Sequence, residues 1–197
     1  TGVADTYFAN GSGAGSVMGD WTVTEGSVDL FGIDDATSPL GGRIIDLDGN
    51  SPGAIRQTLT TEVGRQYQII FNMGGEYSSD EPIKDIRVSA GGTSQDFSLS
   101  QPPNWNWLDK SDFSPLSMTF IADASSTELT FKSLENLASA SGAYLADIRV
   151  VEIPPAISVI LNNDSTLSYD AATGKFYRVS STATDWIAAN SVSQTPL

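Results

Sequence analysis

The chain has 197 residues, enough for one large or two small domains with a core that needs no covalent staples. It holds no cysteine and no histidine, which excludes a disulfide framework, thiol catalysis, a Ser-His-Asp arrangement, an imidazole general base and any Cys- or His-ligated metal. Its 24 acidic and 10 basic residues give a formal charge of -14, which repels phosphate backbones and anionic lipid, so nucleic acid is not an expected partner. No apolar run reaches the roughly 18 residues that membrane insertion needs, and no signal peptide heads the chain, which reads as a mature form or an excised fragment. Acidity with abundant Gly, Ser, Thr and Asp suits a secreted bacterial protein that meets calcium outside the cell, although it also serves solubility alone.

Residues 1 to 19 carry an opening strand around Tyr7 and Phe8 and then a glycine-rich loop. Trp21 and Val23, then Val28 and Leu30, supply core-facing positions of two strands, and an acidic loop with Asp34 and Asp35 follows. Ile45 and Leu47 are expected to point inward, with Ile44, Asp46 and Asp48 outward, before a turn at Gly49, Asn50, Pro52 and Gly53. Ile55, Gln57 and Leu59 alternate in the next strand. In the strand after Gly64, Tyr67, Ile69, Phe71 and Met73 fall on one face. A long polar loop, residues 74 to 82, leads to an Ile86, Val88, Ala90 strand, which turns at Gly91-Gly92 into a hairpin partner with Phe97 and Leu99. The run QPPNWNWLDKSDFSP then places Trp105 and Trp107 on a loop or at its junction with a strand. Met118 and Phe120, Leu129 and Phe131, and Leu145, Ile148 and Val150 mark the last strands. About ten short strands without a helical stretch predict an all-β antiparallel sandwich.

Pro154 and Pro155 interrupt this pattern and divide the chain into residues 1–153 and 156–197. The second segment reads as a strand at Phe176 to Val179 and a helix through Trp186 and Ala189, capped by Thr182 or Thr184. A tyrosine-bearing strand followed by such a helix is similar to the opening of a C-type lectin-like domain. The other reading is a C-terminal extension packed on the first domain.

The strand led by Trp21, the phrase Gly26-Ser27-Val28-Asp29, the turn Asp46-Leu47-Asp48-Gly49, the strand with Gly53, Ile55, Gln57 and Thr58, and Gly64 three residues before Tyr67 occur in one order. Over roughly residues 10 to 153 that order resembles the galactose-binding-like jelly-roll module called DUF642 or choice-of-anchor C. Gly13 and Ala14 stand where the family carries an aromatic residue and an acid. Modules resembling this one often hold a structural calcium between an early loop and the last strand, which favours Asp147 with an early acid.

Sugar rings pack C-H faces on aromatic planes and offer hydroxyls to amides and carboxylates. Candidate ligand-binding residues are Trp105 and Trp107 with Asn104, Asn106 and Asp109, joined by Asn72, Glu76, Tyr77 and Asp80. The tryptophans could equally plug the end of the core. Calcium needs six to eight oxygens, for which Asp34, Asp35, Asp46, Asp48 and Asp147 are the candidate carboxylates, though no contiguous calcium motif is present. These residues and the resemblance together point to a non-catalytic, calcium-assisted carbohydrate-binding module of an extracellular bacterial adhesin, bound to cell-surface or extracellular glycans and joined to adjacent domains of a longer polypeptide. The alternatives are a spacer that displays a lectin-like neighbour and a glycan-active hydrolase using two of the many carboxylates.

Overall fold

The computed structural model describes residues 8–31, 43–76, 82–103, 113–136, 141–154, 158–161, 165–170, 175–179 and 184–187. The chain forms two compact units, Thr1–Val151 and Glu152–Leu197. In the first, β1 (Phe8–Gly13), β2 (Val17–Met18), β3 (Trp21–Glu25), β4 (Ser27–Phe31), β5 (Ile44–Asp46), β6 (Ala54–Thr60) and β7 (Gln66–Gly75) precede β8 (Ile83–Ala90), β9 (Thr93–Ser100), β10 (Ser114–Ile121), β11 (Ser126–Ser133) and β12 (Ala143–Ile153). They build two six-stranded sheets, ordered β1-β4-β5-β12-β7-β10 and β2-β3-β6-β11-β8-β9. The fold is thus all-β, an antiparallel sandwich, and among the described residues no helix is long and apolar enough to cross a membrane.

Period-two patterning explains the faces. Tyr67, Ile69, Phe71 and Met73 of β7 are buried, as are Ile86, Val88 and Ala90 of β8 and Leu129 and Phe131 of β11. Phe71 is the hinge of this core, meeting Phe97 and Phe131 edge-on at centroid distances of 5.3 and 5.2 Å. Tyr67 stacks on Phe120, its cross-strand partner on β10, at 5.4 Å, and its hydroxyl accepts the Glu62 amide at 2.9 Å. The turn between β8 and β9 needs left-handed backbone at both central residues, and Gly91 (φ 54°) and Gly92 (φ 72°) supply it.

One expectation fails on β5. Ile44, Asp46 and Asp48 do not face solvent: all three are buried, Ile44 in a second apolar cluster with Phe113, Tyr144 and Ala146, and Asp46 and Asp48 against the backbone at Gly142.

The second unit contains β13 (Ser158–Leu161), β14 (Ser165–Asp170), β15 (Lys175–Val179) and β16 (Thr184–Ile187) in one antiparallel sheet of that order. The helix expected through Trp186 is replaced by β16, which pairs with β15 so that Trp186 stands opposite Tyr177. Thr184, Trp186 and Ile187 are β-branched or aromatic residues that suit a pleated surface better than a helix. Ala189 lies outside the described residues.

Candidate functional site

The register of the strands sorts the connections into two ends of the sandwich. Ser114 of β10 pairs with Met73 of β7, and Ile83 of β8 with Ser100 of β9. The strand ends that flank residues 77–81 and 104–112 therefore lie together at one end. The end of β5 and the start of β12 belong there too, since Asp46 pairs with Tyr144 and the Glu76 amide donates to the Gly142 carbonyl at 3.1 Å.

At this end Asp46 and Asp48 are almost wholly enclosed. The Asp48 amide donates to Asp46 Oδ1 at 2.8 Å, an Asx-type bond that folds the backbone over the carboxylate. Burial nevertheless pushes the Asp46 carboxyl well above its ordinary range, and the charges of Asp48, Asp29 and Glu76 push it the same way against that amide. Gly142 makes the enclosure: a Cβ there would sit 2.2 Å from Asp46 Oδ1 and 2.5 Å from Asp48 Cβ. Next to it Gly75 leaves room for Lys84, whose Cγ would lie 2.6 Å from a Cβ at that glycine. Lys84 is fully buried and donates Nζ to the Ser141 carbonyl.

Of the sequence-predicted residues, Asp46, Asp48 and Glu76 are thus brought near one another. Asn72 of β7, half-buried, instead donates Nδ2 to Asp147 Oδ2 at 3.2 Å, joining one ligand candidate to one metal candidate. Trp105, Trp107, Asn104, Asn106, Asp109, Tyr77, Asp80, Asp34 and Asp35 lie outside the described residues. Among the described residues no group of three or more acidic side chains is disposed to hold a metal ion, so the Asp46-Asp48 pair does not by itself make a calcium shell of six to eight oxygens.

Sequence reasoning missed Asp29, Lys84 and Gly142. For Lys84 a signal existed: it falls in step with Ile86, Val88 and Ala90 on the inward face of β8. It also took Trp21 for a simple core residue. Trp21 is half-buried, meets Phe131 edge-on at 5.8 Å, and lines a pocket of about 300 Å³.

Halomucin of Haloquadratum walsbyi (strain DSM 16790 / HBSQ001) is 28% identical over 134 residues, a stretch that is 67% of this chain and 1% of that protein. Among solved structures, TmCBM61 in complex with β-1,4-galactotriose matches at 15% identity with a TM-score of 0.48, covering 76% of this chain and 100% of that one. A family 35 carbohydrate binding module from Clostridium thermocellum matches at 10% identity with a TM-score of 0.48, covering 66% and 91%. The sugar-binding C-terminal domain of EclA matches at 15% identity with a TM-score of 0.40, covering 75% and 84%. A family model described as "Protein of unknown function (DUF642)" matches residues 7–150, most of the chain and all of its two-sheet sandwich but the last three residues of β12, and the chain belongs to that family.

Proposed function

We propose that the sandwich is a non-catalytic carbohydrate-binding module of an extracellular bacterial adhesin, with calcium assisting at the end that carries Asp46, Asp48 and Glu76. One observation carries the reading. The pairing of β7 with β10 sets the described strand ends that flank residues 77–81 and 104–112 at one end of the sandwich, although they are distant in sequence, which supports a shared surface for the candidates Tyr77, Asp80, Trp105 and Trp107. Aromatic planes beside amides and carboxylates at a sandwich rim form a surface that suits a saccharide. The absence of histidine and cysteine from the chain supports binding over hydrolysis. Kinship with halomucin, of which the chain spans 1%, supports one module within a long extracellular polypeptide, where many copies would convert weak binding into avidity.

The test is titration calorimetry with neutral and acidic saccharides, in calcium and in chelator, on the chain and on a Trp105→Ala, Trp107→Ala double variant. Saccharide binding that the double variant loses at an unchanged melting temperature supports the reading. No binding of any saccharide in either buffer would sink it, and binding indifferent to chelator removes calcium from it.

The division into two compact units favours a second reading, in which the sandwich is a spacer displaying the second unit as the start of a C-type lectin-like domain. That reading expects saccharide binding only from a chain extended beyond residue 197.

A further inference from the structure

A pocket of about 300 Å³ beside Trp21 is lined by strands of both sheets. Leu30 and Ile45 of one sheet and Met18 of the other give it apolar walls, and Asp20, Arg43 and Asp147 bring charge to it. The volume is at the lower limit of small-molecule pockets and matches a single sugar ring.

The backbone is bent to make this pocket. Leu145, Ala146, Asp147 and Ile148 are consecutive residues of β12, yet all four line it. A regular strand turns alternate side chains to opposite faces, yet Leu145 packs into the main core, Ala146 into the second apolar cluster, and Ile148 and Val150 against the main core again, so the alternation slips by one residue. The alternation is broken by Asp147, whose φ of 53° is the one left-handed value among described residues other than glycine. That conformation costs about 1 kcal/mol or more, and strained residues of this kind gather at ligand sites. The Asn72 amide holds the Asp147 carboxylate at 3.2 Å.

The chemistry of the walls selects the ligand. Two carboxylates against one guanidinium, in a chain of charge -14, disfavour an anion. Carboxylates accept hydroxyl protons, a guanidinium donates to hydroxyl oxygens, and an indole face covers axial C-H groups. We propose that the pocket bounded by Trp21, Asp20, Arg43 and Asp147 is a binding site for a neutral sugar residue. The class of ligand rests on the carbohydrate-binding reading above; the place does not.

The chain has four tryptophans, so indole N-H spectra of the ¹⁵N-labelled protein resolve the two sites, with Trp21→Phe assigning its signal. The probes are galactose, glucose, mannose, their β-linked trisaccharides, and glucuronate. A neutral sugar is expected to shift the Trp21 signal saturably. Arg43→Ala, and Asp147→Gly which keeps the left-handed backbone at ease, should each weaken that titration about tenfold or more at unchanged melting temperature. Glucuronate should leave the signal in place, and tighter binding of glucuronate would overturn the choice of ligand. If a sugar moves Trp105 or Trp107 while Trp21 stays fixed, this site falls and the rim reading stands. If Trp21 alone moves, the reverse holds, and if no indole moves with any probe, both fall.

Discussion

Asp46 carries the clearest energetic conflict in the molecule. Unfolded, its carboxyl ionises near the ordinary value of 3.8; folded, burial first and then the charges of Asp48, Asp29 and Glu76 raise that value. Below pH 3.8 both states hold a neutral carboxyl and the residue costs nothing. As pH rises from there through the raised folded value the unfolded state ionises first, so stability falls, and above it the penalty is constant. Asp46→Asn keeps an oxygen for the Asp48 amide and removes the charge. In chelator it should flatten the pH dependence and raise the melting temperature at neutral pH, by about 2–4 °C for each kcal/mol relieved. If the pair helps to hold calcium, the same variant loses the calcium-induced rise in melting temperature that the unchanged chain shows, a comparison read by calorimetric scans in both buffers. The neighbouring glycine allows a blunter test. Gly142→Ala drives a methyl onto Asp46 Oδ1 and Asp48 Cβ and should cost about 2–3 kcal/mol, measured by urea unfolding.

The β8–β9 hairpin separates two roles of glycine within one element. Gly91 is left-handed and its Cβ would meet Phe120 Cδ2 at 2.7 Å, whereas Gly92 is left-handed with open space around it. Gly91→Ala should therefore destabilise by about 1–3 kcal/mol, while Gly92→Asn, a residue that tolerates this conformation, should stay within about 0.5 kcal/mol. Both are measured against the same urea midpoint. This hairpin was legible in the sequence because its signal is local: two glycines between alternating runs. So was β7, where Tyr67, Ile69, Phe71 and Met73 declare their own face. The burial of Asp46 and Asp48 was not, since the cover comes from the backbone at Gly142, nearly a hundred residues further along. The helix assigned to Trp186 failed because a short segment with a threonine before it fits a cap as well as a strand, and only pairing with Tyr177 decides. Of the candidate site, the acids at the rim could be named but not grouped. The Trp21 pocket was hidden because its walls come from separate segments and the backbone of Asp147 leaves no mark in composition.

For the whole molecule the charge of -14 dominates the response to solvent. The cross-strand ion pairs Arg56–Glu128, Arg87–Asp96 and Lys132–Glu25 are surface pairs of small individual worth, so screening them loses little. Screening the general self-repulsion gains more. Raising sodium chloride from about 10 to 150 mM, which shortens the Debye length from roughly 30 to 8 Å, should raise the melting temperature by a few degrees, with no change expected if the surface pairs and the net charge cancel. The long strand β12 has a different kind of consequence. It lies between β5 and β7 and runs on to Ile153, past the point at which the second unit begins, whereas β1 lies at the edge of the same sheet beside β4 alone. Tension applied from the C-terminal side therefore loads a strand that β5 flanks only over Tyr144–Ala146, while tension from the N-terminal side loads a strand with a single neighbour throughout. Under pulling, β1, an edge strand, is expected to peel before β12, whose Tyr144–Ala146 stretch lies inside the sheet, an order that force spectroscopy from either end reads directly.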